Sequence, residues 1–489
     1  MDLIRERTGL LNEQGQDCYA FVHKTFQEYL CAEEIDYQLE NEFDFGIILN
    51  AIREHLHDAH WREVLLLLIA QQKPKNAAKA IRAVLNNGNE YEEWLHRDLF
   101  FAGNCLAEDP KGLRGADGEL VQEILEKLVE LEIGNDKQVG WVIHQQVQEI
   151  LCNLHETNFE AQALEMLKEK ANLINEWRLW KYQAELGDKN KEIEGLLEKL
   201  KNDDYFMRWN AVIALGELGK NSETIVNTLL ALLQDENPFV RRSAATALKK
   251  LGENSETVLN ALLAKFQDDN FDVQKGTAIA LGKLGNGLET IVNSLLEMLK
   301  DKDSTIRMSA ATALAYFDKN SETIVEDLLA KLQDEDSLVR GRAAFALGKL
   351  GKNSETVVEA LLIKLQDEDS LVRGWAATAL GKLGKNSETI VSNLIAMLLD
   401  EDYSLCRWIT LALGELGNCS ETVVSKLITL LLDENYSARD RAAKYLGKFG
   451  KKSNNILPTI VQWIQEHQDS EYLGSGIDAL WYLVVGEEN

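Results

Sequence analysis

Across residues 354–384, S-E-T-V-V-E-A-L-L-I-K-L-Q-D-E-D-S-L-V-R-G-W-A-A-T-A-L-G-K-L-G, apolar residues recur twice at helical spacing, on either side of a polar break at 367–370. The first run predicts a helix with Ser354 as its N-cap, Glu355 near the positive end of the helix dipole, and an apolar face running through Leu362 and Leu365. In the second run Val372, Ala376, Ala379, Leu380 and Leu383 share one stripe, and Gly384 supplies a left-handed stop. A single pair of this kind cannot bury its own stripes, so neighbouring pairs must cover one another.

The same pattern returns at a fixed period. A Glu-Thr pair recurs seven times at a spacing of 33 residues, with Thr224, Thr257, Thr290, Thr323, Thr356, Thr389 and Thr422 as its second member. This period predicts an all-α solenoid of stacked helical pairs, a class whose default function is binding and not catalysis. Eight such units are expected over residues 188–451, with a C-terminal capping repeat at 452–489 and an irregular helical region at 35–187.

Because the chain repeats, its columns separate structural positions from variable ones. Ala stands at 245, 278, 311, 344, 377 and 443 beside Leu at 248, 281, 314, 347, 380, 413 and 446. Small residues let helices approach while Leu fills the remaining volume. Asp recurs at 235, 268, 301, 334, 367, 400 and 433, and Arg six residues after most of them, with Gln274 and Cys406 as exceptions. The pairs Asp334 with Arg340 and Asp367 with Arg373 are therefore expected to form a structural ladder within and across units. The Asp-x5-Arg spacing, the Ala-Ala-x-Ala-Leu-Gly-x-Leu-Gly ending and the unit length resemble HEAT repeats, in particular the HEAT-like class also found in phycobilisome lyases. The resemblance covers roughly residues 188–487 and departs from the family in lacking the proline of the first helix; the chain has four Pro in all.

Residues 1–34 follow different rules. C-Y-A-F-V-H-K-T-F-Q-E-Y-L-C-A predicts a strand at 19–22 running into a helix through Glu28. With the preceding Gly9, Leu10 and Leu11, the residues Phe21, His23, Phe26, Gln27, Glu28 and Tyr29 resemble the end of the winged-helix region of NACHT-type signalling NTPases, often cyanobacterial. The resemblance implies a short winged-helix-like remnant over residues 1–34. The resemblance implies that, within a complete parent protein, His23 contacts the nucleotide phosphates and releases them when the domain rotates away. The sequence itself contains no G-x-x-x-x-G-K-[ST] phosphate loop. The G-K-N-S stretches at Gly351 and Gly384 lack its spacing and read as turns between repeats.

Charge and cysteine usage narrow the partners. A net charge of -28 opposes phosphate backbones and anionic lipid surfaces, so neither nucleic acid nor membrane is expected as a partner. The six cysteines include no C-x-x-C, in keeping with a reduced, cytoplasmic protein. His55, His57 and His60 lie at spacings that do not converge on one helix face, so no metal is expected, and no cofactor. The regular carboxylates at Asp334, Glu335 and Asp336 read as helix ends, and no nucleophile and base stand in a catalytic arrangement. The expectation is a protein that is not an enzyme.

The informative columns are those that vary. Opposite the Val339, Ala343, Leu347 and Leu350 stripe lie positions whose equivalents include Tyr316, Leu338, Arg342, Phe345, Leu371, Trp375, Arg407, Trp408 and Leu411. Aromatic residues with Arg are the composition of a recognition hot spot. The HEAT resemblance implies that second helices line a concave groove, which makes these nine residues the expected contact set for a protein or peptide ligand. The alternative is that Trp375 and Trp408 pack on each other to widen the core. The function expected is a scaffold or sensor arm of a NACHT-type signalling or defence NTPase, working with an upstream NACHT module. A stand-alone HEAT adaptor and a phycobilisome-lyase-like module acting on bilin-carrying antenna proteins are the alternatives.

Overall fold

The computed structural model describes residues 11–15, 18–21, 24–218, 222–252, 255–265, 268, 270–284, 289–317, 322–384, 388–397 and 403–486. The chain divides into two compact units, residues 1–175 with 185–188, and residues 176–184 with 189–489.

The first unit opens with an antiparallel hairpin of β1 (Leu11–Gly15) and β2 (Cys18–Phe21), in which Leu11 pairs with Phe21 and Glu13 with Tyr19. The strand expected at 19–22 is β2; its partner β1 was not foreseen, because L-N-E-Q-G carries a single large apolar residue and no alternation. Helix α1 follows at Lys24–Glu42 and runs well past Glu28. The core of this unit is aliphatic, with Leu65, Leu68, Ile69, Ile81, Leu95 and Leu106 fully buried. Asp117 caps the helix Gly118–Ile133 by accepting from the Leu120 N–H at 3.0 Å, and the same carboxylate takes Arg82 in two hydrogen bonds of 2.6 and 2.8 Å.

In the second unit, helical pairs follow one another with the expected period. The second helices of successive pairs are α2 (Tyr205–Glu217), α3 (Pro238–Leu251), α4 (Phe271–Leu284), α5 (Ser304–Leu314), α6 (Ser337–Leu350), α7 (Ser370–Leu383), α8 (Tyr403–Glu415), α9 (Tyr436–Gly450) and α10 (Leu473–Val484). Ser354 caps the helix Glu355–Lys364 through the Val357 N–H, and Gly384 stops α7 at φ 66°. The polar break has its own cap: Asp369 accepts from the Leu371 N–H at 2.8 Å, and Asp336 does the same for Leu338. Neighbouring second helices touch closely. A Cβ on Gly348 would lie 2.6 Å from the Cβ of Ala379, so only glycine permits α6 and α7 to approach as they do.

The Asp and Arg columns tie the pairs together in one direction. Arg340 Nε and Nη2 donate to Asp367 of the following pair at 3.0 and 2.8 Å, while its Nη1 donates to the backbone carbonyls of Asp334 and Glu335. Arg307 holds Asp334 and Arg208 holds Asp235 in the same way, and Arg241 Nη2 donates to Asp268 at 2.7 Å. Within a unit the arginine therefore meets the backbone of its own aspartate, and the carboxylate belongs to the arginine of the previous unit. Arg373 repeats the backbone contacts to Asp367 and Glu368 at 3.1 and 3.2 Å, and the next aspartate of the column, Asp400, lies outside the described residues. Burial pushes the Asp367 carboxyl upward, but Arg340, the Asp369 N–H and Lys364 outweigh it and hold the group below its ordinary value. Where Gln274 replaces Arg, it still donates to the Asp268 carbonyl at 2.7 Å, but the aspartate one step on, Asp301, is exposed.

Candidate functional site

The variable columns of α5 to α8 do not form a uniformly exposed face. Leu338 and Leu371 stand out at 48% and 47% exposure. Tyr316, Arg342, Phe345, Trp375 and Trp408 are half-buried, and Leu411 is only 4% exposed. Leu411 is a correction to its reading as a contact residue. It stands five residues after the ladder position, in a column where Thr312 and Thr378 are also buried.

The aromatic residues are brought together. Phe345 and Trp375 meet edge to face with centroids 5.2 Å apart, and Trp375 and Trp408 lie 4.7 Å apart at an inclined angle. Glycines on the preceding helices seat them: a Cβ at Gly341 would strike the Trp375 ring at 2.8 Å, and one at Gly374 the Trp408 ring at 3.0 Å. Mutual packing of the two tryptophans is thus present, and the row they make carries cations on its faces. The Arg342 guanidinium lies 4.9 Å over Trp375, Lys382 Nζ 4.7 Å over Phe345, and Lys349 Nζ 5.7 Å over Tyr316.

Arg407 has a different role from the one its column suggests. It donates to Asp433 at 3.3 Å and so supplies the ladder cation that Cys406, one residue earlier, cannot. By contrast, among the described residues no carboxylate lies within ion-pair distance of Arg342, Lys349, Lys382 or Arg441. Burial lowers the pKa of Arg342. Burial, with the like charges of Lys349 and Arg441 added, brings Lys382 down to about 8, against the opposing pull of Glu415. Glu415 itself accepts the Tyr445 hydroxyl. Toward the start of the stack the same columns are open, and a cavity of about 330 Å³ lies among Trp209, Phe239, Arg242, Thr246 and Lys250 between α2 and α3.

His23 lies outside the described residues. Of its neighbours in the motif, Gln27 and Tyr29 are exposed and Glu28 is buried. The other histidines separate: His55 stacks on Trp61 at 3.9 Å, while His57 Nε2 and Asn89 both bond Asp98 Oδ1, the former at 2.9 Å. Asp98 is 1% exposed and its Oδ2 has no partner among the described residues. Beside it the Glu92 carboxylate accepts the N–H groups of Asp98 and Leu99 at the start of the helix Arg97–Ala107, and burial pushes Glu92 up to about 7. This polar cluster was not legible in the sequence because His57 and Asp98 stand 41 residues apart. Among the described residues no group of side chains could hold a metal ion.

The profile for HEAT repeats matches residues 193–272, 259–324 and 325–414, and that for the winged helix-turn-helix domain C-terminal to NACHT matches residues 1–35. The chain carries HEAT repeats, preceded by a short remnant of a NACHT-associated winged-helix domain. Similar solved structures include human deoxyhypusine hydroxylase (18% identity, covering 62% of this chain and 99% of that one, TM-score 0.27), the CpcE–CpcF complex of phycocyanin lyase from Nostoc sp. PCC7120 (21%, 48% and 91%, 0.32) and Kap121p (14%, 90% and 55%, 0.39). Among curated proteins none matches the chain. The ladder, the seam glycines and the aromatic row all lie within or beside the matched HEAT repeats. Among the described residues no helix of the HEAT array or of the first unit is long and apolar enough to cross a membrane.

Proposed function

We propose that this chain is the non-catalytic, protein- or peptide-binding arm of a NACHT-type signalling or defence NTPase, with its ligand held along the variable columns of α5 to α8. The observation that carries the reading is the aromatic row of Phe345, Trp375 and Trp408, with Arg342 and Lys382 over its faces and the exposed Leu338 and Leu371 beside it. Such a mixture, absent from the monotonous core columns, is the composition that binding surfaces favour. The order of a NACHT-associated winged helix followed by HEAT repeats supports an upstream nucleotide-binding module in the cytoplasm as the recipient of the signal. In that assembly His23, inside the matched winged-helix segment, is the proposed switch contact.

Leu338→Asp and Leu371→Asp test the site, because both side chains are exposed enough to be changed without opening the core. Partners captured by the wild-type chain should be lost from the double variant while its melting temperature is unchanged, and amine cross-links should fall on Lys349 and Lys382. Full recovery of partners by the double variant would overturn the site.

A further inference from the structure

The arginines of the ladder are consumed in holding the stack, yet a second set of cations on the same helices makes no ion pair among the described residues. In a chain with 80 acidic and 52 basic residues, a carboxylate is the commonest neighbour a surface cation can find. Arg342, Lys349 and Lys382 nonetheless face the variable columns with no ion pair among the described residues, while Arg441 donates to the Tyr445 hydroxyl, which in turn donates to Glu415, the carboxylate that acts on Lys382. Bringing these like charges together costs free energy in the empty protein, and an anion relieves that cost. Arg342, Lys349 and Lys382 lie over aromatic rings, which favours these positions before any ligand arrives.

The rings themselves decide which anion. Arg342 covers the face of Trp375, Lys382 that of Phe345, and Trp375 and Trp408 lie against each other. Stacking a nucleobase needs an open ring face, so the row is suited to presenting N–H donors and not to holding bases. The spacing then narrows the peptide. Lys349 and Lys382 occupy equivalent positions on adjacent helices, 33 residues apart in sequence, and packed helices lie roughly 8–10 Å apart. In a polyproline-II strand every third residue returns to the same side, after about 9 Å. We propose that the occupant of this face is an extended acidic peptide whose carboxylates recur every third residue and pair with Lys349 and Lys382, with Arg342 and Arg441 flanking them.

This deepens the binding role proposed above and rests on it. The test uses the full chain and a labelled peptide of about twelve residues built from Pro, Ala and Glu, with Glu at every third position, followed by fluorescence anisotropy at low salt. Two further peptides, one with the Glu residues adjacent and one with Lys for Glu, and a single-stranded oligothymidine of equal length complete the set. The every-third peptide should bind most tightly, and the Lys349→Gln/Lys382→Gln variant should lose roughly tenfold or more, as expected when charge-assisted hydrogen bonds are removed. Lys382→Arg should retain binding, and both variants should melt like the wild type, since Lys349 is exposed and the half-buried Lys382 makes no hydrogen bond or ion pair among the described residues. Equal or tighter binding of the Lys peptide or the oligonucleotide, no binding of the acidic peptide, or an unchanged affinity in the double variant would each overturn the proposal. If captured partners are lost with Leu338→Asp and Leu371→Asp but kept with Lys349→Gln/Lys382→Gln, the binding arm stands and the acidic peptide falls.

Discussion

Glu92 shows how one side chain couples local stability to pH. Its carboxyl is buried at the start of the helix Arg97–Ala107, and its pKa lies near 7 instead of the ordinary 4.5. Between those values the folded state keeps a proton that the unfolded chain releases, so the contribution of Glu92 is fully present below about pH 4.5 and is lost as pH rises through 7. Glu92→Gln, which keeps an acceptor but not the charge, is expected to flatten this decline. The check is amide exchange over residues 97–107 at pH 5 and pH 8, read as the difference between variant and wild type. That difference isolates Glu92 from His96, whose pKa is lowered by burial and which acts with opposite sign. An unchanged difference would show that Glu92 titrates as an exposed carboxylate. The cluster escapes a sequence reading for a simple reason: its members come from three segments and share no spacing. Arg407 escapes it for the opposite reason, because its column looks variable while its guanidinium serves the fixed column next door.

The helices themselves were largely readable, since their caps and stripes are local features. Ser354, Gly384 and the stripe from Val372 to Leu383 sit where apolar periodicity places them. What periodicity cannot show is how near one helix comes to the next. Leu411 and Phe345 share a column, yet one is buried and the other half-buried, a difference that spacing alone does not carry. Gly348→Ala probes that seam directly. The new methyl would meet Ala379, and overpacking of this kind costs about 1–3 kcal/mol. Chemical denaturation should report a loss in that range, accompanied by increased exchange in α6 and α7. A neutral result would mean that the two helices slide apart freely.

Across the whole stack, stability is a sum over neighbours, so damage should spread outward from one joint. Arg340→Ala strands the carboxylate of Asp367, which keeps Lys364 at 3.2 Å and the Asp369 N–H but loses two charge-assisted bonds. We expect a cost on the order of 1–3 kcal/mol, with exchange rising first around residues 337–383 and hardly at all near residues 205–217. A uniform rise across the second unit would contradict a nearest-neighbour stack. The forward direction of these links also makes length a free variable. Where the ladder is complete, as at Arg307 with Asp334 and Arg340 with Asp367, a pair presents a cation to the pair ahead and a carboxylate to the pair behind, like the couplings of railway wagons. Removing residues 337–369, one whole period, takes out Arg340 and Asp367 together and leaves Asp336 in the capping place of Asp369, with Asp334 still held by Arg307 and its backbone met by Arg373. A train of such wagons is shortened or lengthened without refitting either end, so the array can change its reach by whole units at the joints where the ladder is complete.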